Sequence, residues 1–168
     1  LSDVADVIRS DRIMTGANLV GKTVFGQTGR ISTDGQSVSQ IEVYLPYGAE
    51  QVDFGIYDMN SGALIRSIVS GPQGSGTASF GWDGRMADGT AAPVGDYVIR
   101  GTANIDGAAT DIYPSTFAKV DTVSWDAQSS NLNLNLAGGV TLPISEVSRI
   151  GETPKPSSLT NQTDQAGE

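Results

Sequence analysis

The stretch of sequence that decides the fold covers residues 80–97 and reads FGWDGRMADGTAAPVGDY. Its first aromatic residues stand two positions apart, as on one face of a strand, and its two Asp-Gly pairs are typical of tight turns. The closing Pro-x-Gly-x-Tyr leads into a second alternating run. The stretch therefore predicts a strand end, two tight turns and a strand start. The residues that carry this pattern are Phe80, Trp82, Asp83, Gly84, Asp88, Gly89, Pro93, Gly95 and Tyr97.

Apolar residues recur at every second position on both sides of this stretch. Upstream, residues 41–45 and 52–56 alternate in this way, and residues 63–69 follow a turn. Downstream, residues 95–102 and 108–113 continue the pattern. Turn signals separate these runs by about 8 to 12 residues, which is the spacing of a β-sandwich.

The composition favours an all-β protein and excludes several classes of function. Of 168 residues, 21 are glycine and only 17% are charged, which favours many turns over long surface helices. The formal charge of −9 would repel phosphate backbones and anionic lipids, so we exclude nucleic-acid and membrane partners. There is no cysteine for disulfides, and no apolar run approaches the roughly 18 residues of a membrane span.

The two ends of the chain differ from its centre. Residues 1–15 follow helical spacing, and we interpret them as the helical end of an N-terminal region that precedes Leu1, which is not an initiator methionine. After Pro114 the alternating runs return, with leucine and asparagine interleaved at 131–136. Residues 151–168 show no hydrophobic period, so we predict a disordered tail.

Catalysis is difficult to assign to this sequence. Histidine is absent, which excludes Ser-His-Asp and Cys-His arrangements, and no Ser-x-x-Lys spacing is present. Paired carboxylates could still act as acid and base. Four of the five candidates lie at or next to expected turns, where aspartate caps its own backbone, so we predict no enzyme and no catalytic residues. The five are Asp53, Asp58, Asp83, Asp88 and Asp96.

The sequence also contains candidate residues for a metal site and for a sugar site. The spacing of Asp58, Asn60 and Gly62 resembles the opening of a calcium loop, but the closing acidic ligand is absent, so a hairpin turn is the better interpretation. We predict no metal and no cofactor. Aromatic residues could stack on sugars, although at alternating strand positions they are usually core. Those considered are Phe80, Trp82, Tyr97 and Trp125.

The stretch at 80–97 resembles the F-x-W-D-G, D-G, P-x-G-x-Y signature of bacterial flagellar hook-capping proteins. The segment ANLVGKTV at 17–24 and the runs at 120–125, 132–139 and 142–150 also resemble that family. The resemblance covers residues from about 14 to 150. It implies a fibronectin-III-like, immunoglobulin-like sandwich at 38–113, inserted into a small Tudor-like or SH3-like barrel formed from 16–37 and 114–150.

The resemblance also implies a function. Proteins of this family are expected to leave the cell through the flagellar secretion apparatus and to form a homo-oligomeric cap ring at the distal end of the growing hook. There they would act as a scaffold that promotes folding and polymerisation of hook-protein subunits. We expect the N-terminal region to carry much of the cap-forming surface, and the residues that bind partners stay unassigned. The alternative function is a surface adhesin or carbohydrate-binding module of immunoglobulin-like fold, since such modules use a similar signature.

Overall fold

The computed structural model describes residues 2–151, which contain one helix and twelve strands. Two short 3₁₀ turns, Ala137–Gly139 and Ile144–Glu146, lie near the end. The predicted fold class, all-β with a short N-terminal helix, is confirmed. The helix is α1 (Ser2–Ala17), and the strands are β1 (Thr23–Gly26), β2 (Arg30–Thr33), β3 (Ser39–Leu45), β4 (Gln51–Tyr57), β5 (Leu64–Ser70), β6 (Gly76–Trp82), β7 (Gly95–Ile105), β8 (Ala108–Ile112), β9 (Ser115–Asp126), β10 (Asn131–Leu136), β11 (Thr141–Pro143) and β12 (Arg149–Gly151).

The predicted β-sandwich consists of two antiparallel layers. In one layer the order is β5, β4, β7, and the far edge of β7 is shared end to end by β2 and β8. In the other layer β6 pairs with β3, and β3 pairs with the first residues of β9. Alternation along the strands places every second side chain between the layers. Their shared core includes Phe54, Ile56, Ile41, Leu45 and Trp82.

A second lobe is built on the rest of β9. This long strand pairs with β10 along its second half and with β1 along its first half, so the strand order is β11, β10, β9, β1, β12. The leucines of the Leu-Asn run on β10 point inward and are buried with Val24 and Val120, while its asparagines are partly exposed. The interleaved leucines and asparagines at 131–136 therefore form a strand with one buried face and one partly exposed face.

The second lobe is an open sheet in the part of the chain that the structure describes, so the closed barrel of our prediction is corrected here. Strand pairing stops at β11 on one side and at β12 on the other. Each of these edge strands has only three residues, and the turn at Ile144–Glu146 connects them across the open side. The N–H of Ser148 donates to the carbonyl of Phe25 at 2.7 Å and holds this crossing segment to β1. The segment between β11 and β12 thus covers the core on the side where, in a closed barrel, two strands would pair.

The helix α1 packs on the second lobe through its last turns. Gly16 is buried there, and a Cβ at this position would collide with Leu132. Ile13 and Leu19 also contact this core. On another face of the helix, Val7 and Met14 are exposed. Within residues 2–151, the structure contains no helix that is long and apolar enough to cross a membrane.

The structure bears on two of the predicted boundaries. Gly151, which was expected to open the tail, is paired with Thr23 at the end of β12. The rest of the predicted disordered tail lies outside the described residues. Ile31 of β2 packs in the sandwich core, although the resemblance assigned residues 16–37 to the other lobe. The division of the chain into 16–37, 38–113 and 114–150 stays a prediction.

Candidate interaction surfaces

Trp82 and Tyr97 stand at the two ends of the loop that joins β6 to β7. Trp82 is fully buried, and its indole N–H donates to the carbonyl of Arg85 at 2.9 Å. Tyr97 meets Trp82 edge to face, with ring centroids 5.3 Å apart, and its hydroxyl donates to the carbonyl of Pro93. Both rings lie in the sandwich core, and their polar atoms hold the loop to that core.

The two aspartates of the signature cap turns within this loop. Asp83 accepts the backbone N–H of Arg85 and the guanidinium of Arg66, both at 3.0 Å. Asp88 accepts the hydroxyl of Thr90 at 2.6 Å and its N–H at 2.9 Å. Hydrogen bonds from Thr90 lower the pKa of Asp88. These carboxylates accept hydrogen bonds from residues of their own loop, which is the local behaviour expected of aspartate in turns.

The remaining signature residues shape the same loop. Gly84 and Gly89 have φ angles of 77° and 88°, a region that favours glycine. At Gly84 a Cβ would also collide with the hydroxyl of Thr33. Gly95 begins β7, and Phe80 is half-buried with its ring 5.1 Å from that of Phe54.

Of the other candidate carboxylates, Asp58 and Asp53 accept hydrogen bonds from nearby residues. Asp58 accepts the N–H of Ser61 at 2.7 Å and of Asn60 at 3.1 Å, and hydrogen bonds led by those from Ser61 lower its pKa. Asp53 accepts the side-chain amide of Gln51 at 2.9 Å. For Asp96, partial desolvation raises the pKa. Among residues 2–151, no three acidic groups gather where they could hold a metal ion.

An arginine joins the two lobes on one side. The guanidinium of Arg149, on β12, lies 4.0 Å above the ring of Phe25, which itself packs against Phe117 at 4.7 Å. The same guanidinium is 2.8 Å from a carboxylate oxygen of Glu42 on β3. Because Glu42 lies in the sandwich and Arg149 in the second lobe, this partly exposed ion pair bridges the two lobes.

A buried threonine pair forms a second link. The hydroxyls of Thr28 and Thr116 lie 2.6 Å apart, and both side chains are almost completely buried. Thr116 also donates to the carbonyl of Arg30, while the guanidinium of Arg30 donates to the carbonyl of Ala137 at 2.8 Å. The linked residues are distant in sequence, and no local pattern marked them, so sequence reasoning missed both links.

Two grooves flank this junction, and Tyr113 lines both. One has a volume of about 550 Å³ and is lined by Arg30 and Val140 together with residues of β7 and β8. The other has a volume of about 240 Å³ and includes Tyr44. Tyr44 and Tyr113 are each 68% exposed, whereas Trp82 and Tyr97, two of the aromatic residues considered for sugar stacking, are buried. The exposed tyrosines were not among the predicted site residues.

The chain is a β-sheet protein with two lobes and a loop anchored by Trp82, and known proteins are similar to it. The family model of the FlgD Ig-like domain matches residues 28–107. The crystal structure of FlgD from Pseudomonas aeruginosa is 32% identical, superposes with a TM-score of 0.68, and the match covers 79% of this chain and 98% of that one. The chain belongs to the FlgD family.

Two further relatives extend the comparison. FlgD from Xanthomonas campestris, whose structure was described for hook capping essential for flagellar assembly, is 29% identical with a TM-score of 0.60. That match covers 84% of this chain and 100% of the crystallised one. The basal-body rod modification protein FlgD of Escherichia coli K12 is 33% identical over 133 residues, which are 79% of this chain and 57% of the relative. The chain thus spans about half the length of the curated relatives that it matches.

Proposed function

We propose that this chain works in flagellar assembly as part of a hook cap. In this proposal the protein is a scaffold without catalytic activity, located at the distal end of the growing hook after export through the flagellar secretion apparatus. It promotes folding and polymerisation of hook-protein subunits, which are its partners. The full protein forms a homo-oligomeric cap ring.

The observation that carries the proposal is the match to FlgD from Xanthomonas campestris. The match covers the whole of that crystallised chain, and that protein was described for hook capping. A match confined to the sandwich would give the hook-cap proposal much less support, because proteins that share one fold can have many different functions. The match here covers 84% of this chain, which is more than the sandwich at 38–113 alone.

The structure supports a scaffold in two ways. The lobes share strand β9 and are bridged by Arg149 with Glu42 and by the pair Thr28 and Thr116, so specific contacts connect them. The candidate carboxylates of the signature loop hydrogen-bond to their own turns. We propose that the nine signature residues are structural in this protein, and that the partner-binding residues lie elsewhere.

Deletion of the gene for this chain in its native bacterium tests the proposal. We expect the deletion strain to lack hooks when basal bodies are viewed by electron microscopy, and to release unpolymerised hook protein into the medium. Reintroduction of the intact gene should restore hooks, which controls for effects on neighbouring genes. Normal hooks and normal motility in the deletion strain would contradict the proposal.

A matched pair of variants links the phenotype to the structure. Arg149→Ala removes the contact with Glu42 and Phe25, whereas Arg100→Ala removes an arginine that lies 5.7 Å over the ring of Tyr57 within the sandwich. If lobe orientation matters for capping, Arg149→Ala should lower the number of hooks per cell more than Arg100→Ala does. Protein levels in the two strains must be equal for this comparison.

A further inference from the structure

The chain contains four Asp-Gly pairs, at 34–35, 83–84, 88–89 and 106–107. In this dipeptide the backbone nitrogen of glycine can attack the carboxyl carbon of the preceding aspartate, because glycine has no side chain to hinder the approach. A C–N bond forms, a C–O bond breaks, and the oxygen leaves as water with the carboxyl proton and the amide proton. Water then opens the cyclic imide. Opening at the main-chain carbonyl leaves isoaspartate, in which the backbone runs through the side-chain carbon, and opening at the other carbonyl restores aspartate.

The structure restrains both reacting groups of the pair at 34–35. The carboxylate of Asp34 accepts the N–H of Gln36 at 2.8 Å and the N–H of Ser37 at 2.7 Å. The N–H of Gly35 donates to the hydroxyl of Thr33 at 3.1 Å. Hydrogen bonds from Ser37 and Gln36 also lower the pKa of Asp34 to about 2, so its carboxyl group stays ionised. An ionised carboxylate loses its oxygen less readily than a protonated carboxyl group does, so attack on Asp34 is slow.

The pair at 88–89 is restrained in the same way. Asp88 accepts the hydroxyl of Thr90 at 2.6 Å and its N–H at 2.9 Å, and these bonds lower the pKa of Asp88. The N–H of Gly89 donates to the carbonyl of Met86 at 3.0 Å. Both hydrogen-bonded groups must be released before the nitrogen can reach the carboxyl carbon.

The pair at 83–84 is restrained through its carboxylate and its surroundings. Asp83 accepts the N–H of Arg85 and the guanidinium of Arg66, both at 3.0 Å. Gly84 is buried, and its carbonyl accepts the N–H of Ala92 at 2.8 Å. Rotation of this glycine toward the carboxyl carbon would therefore break contacts that hold the loop between β6 and β7.

The pair at 106–107 lacks these restraints. Asp106 and Gly107 form the two-residue turn between β7 and β8, where Ile105 pairs with Ala108. Both turn residues are exposed. In the part of the chain that the structure describes, neither the carboxylate of Asp106 nor the N–H of Gly107 makes a hydrogen bond. The two groups that must react are thus both free.

The strand that follows this turn is easy to detach. Within residues 2–151, β8 pairs with β7 alone, and its first four residues are all exposed. Local opening of such a strand breaks few buried contacts, so it costs less free energy than unfolding of the sandwich. Opening frees the backbone of Gly107 to turn its nitrogen toward the carboxyl carbon of Asp106.

We propose that Asp106 is a site of spontaneous isomerisation to isoaspartate in the folded protein, and that hydrogen bonds protect the other three Asp-Gly pairs. Isoaspartate adds one carbon to the backbone, so the two-residue turn no longer joins Ile105 and Ala108 in register. The modification loosens β8 and Tyr113, which follows this strand and lines both grooves. This inference goes beyond the proposed function and does not depend on it.

Peptide mapping with trypsin tests the inference, because cleavage after arginine and lysine places the four pairs in the separate peptides 31–66, 67–85, 86–100 and 101–119. The folded chain is incubated in warm, mildly acidic buffer for several weeks. Isoaspartate is then located in each peptide by electron-transfer fragmentation. We expect peptide 101–119 to gain isoaspartate at least several-fold faster than the other three. In guanidinium chloride the four rates should become similar, because unfolding removes the protecting hydrogen bonds.

Two variants separate the causes. Asp106→Glu lengthens the side chain, so the five-membered imide cannot form and the isoaspartate of peptide 101–119 should disappear. Ser37→Ala removes the hydroxyl that donates to Asp34 and should raise the rate in peptide 31–66 without changing peptide 101–119.

Several results would overturn the proposal. These are equal rates for the four pairs in the folded chain, a fastest site other than Asp106, or the same ranking of rates in guanidinium chloride as in buffer. Isoaspartate that persists in peptide 101–119 of Asp106→Glu would also overturn it, because the modified residue would then be Asp111. An unchanged rate at Asp34 in Ser37→Ala would contradict the protective role of the hydrogen bonds.

Discussion

The hydroxyl groups of Thr28 and Thr116 lie 2.6 Å apart although the two residues are separated by 88 positions in the chain. Thr28 precedes β2 and Thr116 lies near the start of β9, at the point where the strands of one lobe give way to those of the other. Both hydroxyls are buried and also contact the carbonyl of Arg30. A buried polar pair of this kind stabilises the fold only while each group keeps its partner.

Thr116→Val should destabilise the protein. The substitution conserves shape but leaves buried polar groups of Thr28 and Arg30 with fewer partners, so we expect a loss of about 1–3 kcal/mol in the free energy of unfolding. Urea unfolding measures this change. Thr116→Ser, which keeps the hydroxyl, is the matched control and should lose less. Equal losses in the two variants would show that the methyl group, and not the hydrogen bond, is what matters.

Trp82→Ala should unfold or strongly soften the sandwich. The side chain is fully buried, and truncation of a buried tryptophan typically costs about 3–5 kcal/mol. Phe80→Ala should cost less, because Phe80 is only half-buried. Thermal unfolding followed by circular dichroism measures both, with Tyr47→Ala, at a 93% exposed position, as the control that should stay within about 0.5 kcal/mol of the parent. A Trp82→Ala variant that melts like the parent would refute the structural role of this residue.

Chelation should leave the stability unchanged. Asp58, the acidic residue of the calcium-like spacing with Asn60 and Gly62, accepts hydrogen bonds from the N–H groups of Asn60 and Ser61. A single carboxylate engaged in a turn supplies too few oxygen ligands for calcium, which takes six to eight. We expect the same melting temperature with EDTA and with millimolar calcium. A rise of several degrees with calcium, abolished by Asp58→Ala, would disprove this.

Asp34 should contribute to the loss of stability in acid. The hydroxyl and the N–H of Ser37, together with the N–H of Gln36, lower the pKa of Asp34 to about 2. The folded state binds the proton of Asp34 more weakly than the unfolded state does. The contribution of Asp34 to the stability of the folded state is therefore fully present above the ordinary aspartate pKa. It disappears as the pH falls from that value through about 2. The effect on stability is small, since the residue is exposed.

Two variants separate the causes of this pKa. In Ser37→Ala the main hydrogen bond to the carboxylate is gone, so the pKa of Asp34, followed by NMR titration, should rise toward the ordinary value. In Asp34→Asn the carboxylate itself is gone, and the difference in melting temperature from the parent should shrink as the pH approaches 2. A difference that persists unchanged at the lowest pH would mean that the charge of Asp34 is not involved.

Local patterns determined most of the secondary structure. A two-residue hydrophobic period forces every second side chain to one face, so the strands that carry Phe54, Tyr97 and Leu134 could be read directly. The Asp-Gly pairs at 83–84 and 88–89 specified their turns for a similarly local reason, since glycine reaches positive φ without steric cost. The resemblance of residues 80–97 then pointed to the family to which the chain belongs.

Only the tertiary structure decided which strand edges meet and which stay open. Strand pairing depends on contacts between residues far apart in the chain, and an alternating pattern is the same for an edge strand and a central strand. The pattern therefore could not show that Arg149 reaches Glu42 or that the second lobe ends as an open sheet. For the same reason the sequence GTASFGW could not show that one edge of β6 is exposed. The sequence by itself determined that a strand forms there, but not which strands lie beside it.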